Sequence, residues 1–198
     1  HDNGLSRFGQ QCIYEMNRVG MLIDLSHVGR RTCLEAIETS ADPVILSHSS
    51  CYNVAKHTRN ANDEQIKALA SKGGVICLCP HSVMCNEDQR TCPTVDRFID
   101  HMVHVAELVG VDYIGIGTDR WKRPTLDYLM GRVEFERTCP NWFGKFDGNQ
   151  KHVQGFNYFD EWDSLADHML ARGFHENEIQ KVLGGNLMRV FQQVWDKK

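Results

Sequence analysis

The sequence predicts an α/β protein organised on parallel strands, and three observations carry that prediction. Apolar runs of strand length alternate with amphipathic segments of helix length at spacings of roughly 20 to 35 residues, the rhythm of parallel strands joined by helical crossovers. The runs at 43–49, 75–79 and 111–117 are almost wholly apolar, as strands covered on both faces must be. Two runs, Met21-Leu22-Ile23-Asp24-Leu25-Ser26-His27 and Pro43-Val44-Ile45-Leu46-Ser47-His48-Ser49, close on a histidine, at the strand end where α/β proteins gather their chemistry.

Taken in order, Ser6 caps a helix over 6–19, in which Phe8, Cys12, Ile13, Met16 and Val19 recur at helical spacing, and Gly20 ends it. The first histidine strand follows. Residues 30–40 form a second helix through Cys33, Leu34 and Ile37, and Pro43 opens the second histidine strand. Asn62 with Gln65 three residues on is a capping-box start, and Gly73-Gly74 stop the helix that it opens. A third strand spans 75–79. A crossover helix at 94–109 turns Phe98, Ile99, Met102 and Val105 inward, and a fourth strand at 111–117 runs into Thr118-Asp119. Residues 120–160 are an aromatic- and glycine-rich excursion, longer than a routine connection. It is expected to hold a short helix near 125–136 and to serve as a lid, a subunit contact or a cluster packed on the domain. Helices resume at 163–172 and 176–195, with a break at Gly184-Gly185. Four βα units do not close a barrel, so the pattern alone leaves open a four-stranded open sheet or a piece of a longer chain.

The 198 residues suffice for one substantial domain, and 41% hydrophobic with 24% charged residues is ordinary globular composition. A formal charge of −4 with no Lys/Arg-rich tract argues against nucleic acid as a partner. No apolar stretch approaches the ~20 residues of a membrane span. The eight cysteines contain no C-x-x-C pair, so neither a zinc knuckle nor a redox motif is indicated. Cys85 and Cys92 flank a polar loop and would pair only in an oxidising compartment; free thiols in a reducing cytoplasm are the favoured reading. An exported or membrane-anchored form stays open, because any leader would precede residue 1.

His27 and His48 are the leading candidates for chemistry, since neutral imidazole binds zinc and similar metals. Two histidines do not complete a catalytic zinc site, which takes three protein ligands and a water. The plainer alternative is a pair of hydrogen-bonded core histidines. Asp119 follows Gly115-Ile116-Gly117 and is placed to bind metal or move a proton, or simply to cap a turn. Arg59 can hold a substrate carboxylate through two parallel hydrogen bonds, or make a surface ion pair. Asp24 sits in an apolar run, must be hydrogen-bonded if buried, and can orient another site residue. His81, beyond the third strand, can reach the same face. His101 and His104 read as helix-surface residues, and nothing marks Ser47 or Ser49 as an activated nucleophile.

The segment Met16–Val28, the run Pro43–Ser49 followed by Arg59-Asn60, Gly73-Gly74-Val75, Val111–Asp119 and Gly185–Phe191 together resemble the membrane (renal) dipeptidase family of metallopeptidases. The resemblance covers nearly the whole chain except 120–160. It implies a TIM-type (β/α)8 barrel of the amidohydrolase-like kind, of which residues 1–198 supply about four C-terminal βα units plus C-terminal helices. It implies two zinc ions, with His27 and His48 as ligands of one, Arg59 on the substrate's terminal carboxylate, and Asp119 as the proton-transfer residue. The expected reaction is hydrolysis of a dipeptide by a metal-bridging hydroxide, with tolerance of a D-residue at the C-terminal position, in a homodimer. The family's His-x-Asp pair and bridging Glu have no counterpart here, so the remaining ligands are expected upstream of residue 1. After Asp119 the chain reads Arg120-Trp121-Lys122-Arg123-Pro124, where the family continues Phe-Asp-Gly. The alternatives are a catalytically inactive binding or structural protein and a single-metal amide hydrolase.

Overall fold

A computed structural model describes residues 1–88, 91–119, 137, 152–156 and 159–196. Helix α1 (Arg7–Val19) begins where Ser6 Oγ accepts from Gly9 N and ends at Gly20, whose φ of 70° lets its N–H turn back onto the last carbonyls. Helix α2 (Arg30–Thr39) starts at Gly29, which has no side chain to cap it. Asp2 takes that role from far along the chain, its carboxylate accepting from Arg31 N at 2.6 Å and from Thr32 Oγ1 at 2.5 Å. The Thr32 hydroxyl, with the N–H groups around it, pulls the Asp2 carboxyl down to about 2.

Strand β1 (Ile45–Ser49) is followed by α3 (Asp63–Ser71), whose Asn62–Gln65 capping box is complete. Then come β2 (Val75–Leu78), the short α4 (Ser82–Cys85) and the long α5 (Val95–Val109), capped by Thr94. A 3₁₀ turn leads into β3 (Ile114–Ile116). Helices α6 (Leu165–Ala171), α7 (Glu176–Gln180) and α8 (Asn186–Trp195) complete the order, and a π-helical turn at Lys181–Gly185 separates the last two where the glycine pair predicts a break. The helix expected near 125–136 lies outside the described residues, as does most of the 120–160 excursion.

The sheet corrects the expected architecture. The described residues form a three-stranded open parallel sheet, β1-β2-β3, within a largely helical chain, and not an eight-stranded closed barrel. Three βα units stand where four were expected. The first histidine run contributes a single bridge, Asp24 to Ile45, rather than a strand. Its backbone bonds to β1 only through Leu25 N to Ile45 O and Ile45 N to Ile23 O. Beyond that point the Asp24 carboxylate takes the next N–H of β1, and a side chain that competes with the ladder ends it.

Side-chain alternation sorts the strands between two cores. Leu46, Ile76, Leu78 and Ile114 join the large core with α2, α3 and α5, where Phe98, Ile99 and Met102 are fully buried. Ile45, Val75 and Cys77 face the other way and meet Val190 and Val194 of α8. Cover on both faces is why β2 and β3 carry no polar side chain and why β1 is apolar until Ser47, where the site begins. The register carries one irregularity: Leu46 pairs with Ile76 and Ser49 with Leu78, so β1 has an extra residue at Ser47-His48.

His101, expected on a helix surface, is fully buried in α5. Its Nδ1 accepts from Cys51 N at 3.0 Å and its Nε2–H donates to Cys85 O at 3.2 Å. Cys51 and Cys85 meet its ring, and burial makes these thiols and those of β2 and its end hard to ionise: Cys77 and Cys79 are pushed up to about 12, and Cys51 and Cys85 higher. All seven described cysteines are free, Cys85 and Cys92 among them. No helix among the described residues is long and apolar enough to cross a membrane.

The bond from Cys51 N needs the lone pair of the neutral ring, and burial lowers the His101 pKa from 6.5 to about 4, against the bond to Cys85 O, which either form of the ring can donate. Between those values the unfolded chain binds a proton that the folded chain refuses, so stability is full above pH 6.5 and falls as pH drops toward 4. The loss should be on the order of 3 kcal/mol. Urea unfolding at stepped pH checks it, and His101→Gln, which does not titrate, should flatten this part of the profile.

Candidate metal centre and substrate cleft

The site is assembled at the C-terminal ends of the strands. The β1 bulge places Ser47 and His48 out of simple alternation, which re-aims the histidine. Gly117, just past β3, makes the matching close approach: a Cβ there would lie 1.8 Å from Ser47 O. Only glycine lets the end of β3 come this near the bulge.

His27 follows the Asp24–Leu25 bridge region with φ 67°, and Asp119 follows β3 with φ 46°. These are the two non-glycine residues with positive φ among the described residues. Such a backbone costs about 1–3 kcal/mol per residue and persists only when the surroundings enforce it. Both strained positions are residues that the sequence singles out.

The ring nitrogens of His27 and His48, Nε2 to Nε2, are 2.8 Å apart. Asp24 reaches His48 through Ser47: Asp24 Oδ2 accepts from Ser47 Oγ at 2.5 Å, and Ser47 Oγ is 2.8 Å from His48 Nδ1. Burial pushes the Asp24 carboxyl up, but bonds from the Ser47 hydroxyl and from the Ser26 and Ser47 N–H groups outweigh it and hold it low. His27 is lowered, first by burial and then by the positive charge of Arg59. It is therefore neutral at neutral pH, the form that binds a metal.

Arg59 is carried by the loop after β1, whose ends are tied together by Tyr52 N to Ala61 O and Ala61 N to Ser50 O. Ser49 Oγ donates to Arg59 O at 3.0 Å, and Asn60 Nδ2 donates to Ala55 O and Met84 O. Burial lowers the Arg59 pKa, and the Asp119 carboxylate is the largest opposing influence. The guanidinium forms no ion pair among the described residues.

A cleft of about 100 Å³ is lined by His27, Arg59, His81 and Asp119, with Val83 and Met84 as its apolar wall and His57 at its side. A second cleft of about 320 Å³ shares His27 and Arg59 and extends past Leu25, Gly29, Tyr52 and Thr58. All six residues singled out in the sequence thus fall in one connected place, His48 through His27 and Asp24 through Ser47. His81 caps α4 by accepting from Val83 N, and its ring stands edge-on to that of His152 at 5.8 Å. Sequence reasoning missed Ser47 and Ser26 as partners of Asp24. The available signal was a carboxylate inside an apolar run, which demands donors, but sequence distance does not say which serines supply them.

The family model for membrane dipeptidases (peptidase family M19) matches residues 1–122 and 143–198. The chain belongs to this family. It is 32% identical over 194 residues to "Dipeptidase tcpJ" of Claviceps purpurea, covering 98% of this chain and 39% of that protein. Against "Dipeptidase 3" of Rattus norvegicus it is 32% identical over 194 residues, covering 97% and 34%. An amidohydrolase from Pseudomonas aeruginosa superposes with a TM-score of 0.84 at 32% identity, covering 100% of this chain and 59% of that one. A metallo peptidase from Rhodobacter sphaeroides, solved with a phosphinate mimic of the dipeptide L-Ala-D-Ala, shares the fold with a TM-score of 0.78 at 23% identity, covering 97% and 48%. The chain spans well under half the length of the curated relatives it matches.

The donor set of this family member suits a metal in part. Two imidazoles converge through Nε2, and two ring lone pairs 2.8 Å apart would repel unless a proton or a cation lay between them. Imidazole nitrogens are good ligands for zinc. Among the described residues no group of three or more His, Cys, Asp or Glu gathers to complete a site.

Asn60 ties the Arg59 loop to α4, so Asn60→Ala should cost about 1–3 kcal/mol in denaturant unfolding, the loss of two buried carbonyl bonds.

Proposed function

We propose that the protein to which this chain belongs is a zinc-dependent dipeptidase. The observation that carries the reading is the convergence of His27 and His48 at 2.8 Å beside a cleft lined by Arg59 and Asp119. His27 and His48 would hold one zinc, and the remaining ligands would come from residues outside this chain. Zinc at such a site supplies Lewis-acid polarisation of a carbonyl and activation of water.

The chain's own residues account for the rest. Arg59, half-buried and without an ion-pair partner among the described residues, takes the terminal carboxylate of the dipeptide as a bidentate pair. That anchor fixes how far the scissile bond lies from the end of the substrate. Dipeptides are favoured over longer peptides because the carboxylate must reach Arg59 while the peptide bond lies beside His27 and Asp119. Asp119, exposed just past the end of β3, passes a proton to the leaving amine. Val83 and Met84 keep one wall of the small cleft dry. The larger cleft, open past Gly29 and Thr58, receives the C-terminal side chain, in either configuration.

A panel of L,L and L,D dipeptides tests the reading on the intact protein. Hydrolysis should vanish on chelation and return with zinc; zinc-loaded protein that cleaves none of the panel would sink the assignment.

Two substitutions should separate the roles of the residues. Arg59→Ala should raise KM and lower kcat/KM by roughly 10- to 100-fold, the loss of a charge-assisted hydrogen-bonded pair. Asp119→Asn should lower kcat by about 10²- to 10⁴-fold with KM little changed. Steady-state kinetics on one good dipeptide distinguishes the two patterns.

A further inference from the structure

We propose that Ser47 is a positioning residue that locks His48 in one tautomer, with the proton on Nδ1 and the lone pair on Nε2, and that Asp24 anchors it. The inference rests on the reading of His48 as a metal ligand and extends it to residues that touch neither metal nor substrate.

The argument is a count of protons. Asp24 Oδ1 accepts from Ser26 N at 2.9 Å and from Ser47 N at 3.0 Å, and Oδ2 lies 2.5 Å from Ser47 Oγ. A carboxylate bonded to two backbone N–H groups is ionised and only accepts. The short contact to Ser47 therefore takes the hydroxyl proton. Were that proton turned to His48 instead, two acceptor oxygens would face each other at 2.5 Å. A serine hydroxyl has no second proton to give. The contact between Ser47 Oγ and His48 Nδ1 at 2.8 Å is then a hydrogen bond only if the imidazole donates. Neutral imidazole carries one N–H, so Nε2 is left with its lone pair. Nε2 is also the atom that faces His27.

The backbone supports the same orientation. His48 N donates to Ser26 Oγ at 3.0 Å, and Ser26 Oγ lies 3.3 Å from Ser47 Oγ, close enough to donate into the lone pair that Ser47 keeps. The bulge at Ser47-His48 lets consecutive side chains meet. In strand alternation they would point to opposite faces. The chain Asp24–Ser47–His48 therefore does for this ligand what a carboxylate bonded directly to a histidine does elsewhere, with a hydroxyl interposed.

The test uses the intact zinc-loaded protein with ¹⁵N-labelled histidine. Wild type should show a protected Nδ1–H resonance, assigned by its loss in His48→Ala. Ser47→Ala should lose that protection and bind zinc roughly 10- to 100-fold more weakly in a chelator competition. Ser47→Thr, which keeps the hydroxyl, should restore both. Protonation of His48 on Nε2, or a Ser47→Ala variant with wild-type zinc affinity and an unaltered Nδ1–H, would overturn the proposal while leaving the metal reading intact if His48→Ala still weakens zinc binding. Zinc affinity unchanged in both His27→Ala and His48→Ala would instead remove the metal reading, and this inference with it.

Discussion

The Asp24 carboxylate accepts from Ser26 N, Ser47 N and Ser47 Oγ, and so holds together two pieces of chain that share only one bridge of regular pairing. Ladder bonds bring the segment to Asp24 and no farther. Past that point the side chain carries the connection, and the backbone is released to turn. His27 can take its left-handed conformation because the ladder no longer dictates φ there. Ser47 can bulge because its N–H is satisfied off the ladder. The two histidines meet because both segments are pinned to the same carboxylate.

The opposite side of the site depends on an absence of atoms. Gly117 brings the end of β3 against Ser47 O, and Asp119 swings out two residues later with positive φ. Strain of this kind has to be offset by the body of the fold. Here the sheet is clamped between the large core, with Phe98, Ile99 and Met102 against one face, and α8 with Val190 and Val194 against the other. A sheet held on both faces gives its strand ends little freedom to relax, so the strained residues stay where the packing puts them.

Helices were the most legible part of the sequence. Ser6, Asn62 and Thr94 start helices, and Gly20 ends one, each by a local mechanism visible in a few residues. The strands at 45, 75 and 114 were legible because two-sided burial makes β2 and β3 apolar throughout and β1 apolar in the run that leads to Ser47. The first histidine run has the same apolar look but is not a strand, and Asp24 is the reason: a carboxylate inside the run captures donors that pairing would use. Closure into a barrel was an extrapolation from the resemblance, and the three-stranded open sheet corrects it. In the site, His48 and Asp119 could be picked out at or just past a strand end, His27 at the end of a run that reads like one, and Arg59 by its guanidinium on the loop after β1. Ser47 could not, since its importance lies in a partner 23 residues away and in a bulge that no local pattern encodes.

The buried thiols give the molecule a built-in reporter. Cys79 directly follows β2, and its carbonyl accepts from Ser50 Oγ and Cys85 Sγ. With its own ionisation pushed up to about 12, it is unreactive while the structure is closed. A thiol reagent can modify it only during excursions that admit solvent to the strand ends, so its rate of labelling measures how often the end of β2 opens. Cys12 and Cys92, partly exposed, supply the reference for a thiol that needs no such excursion.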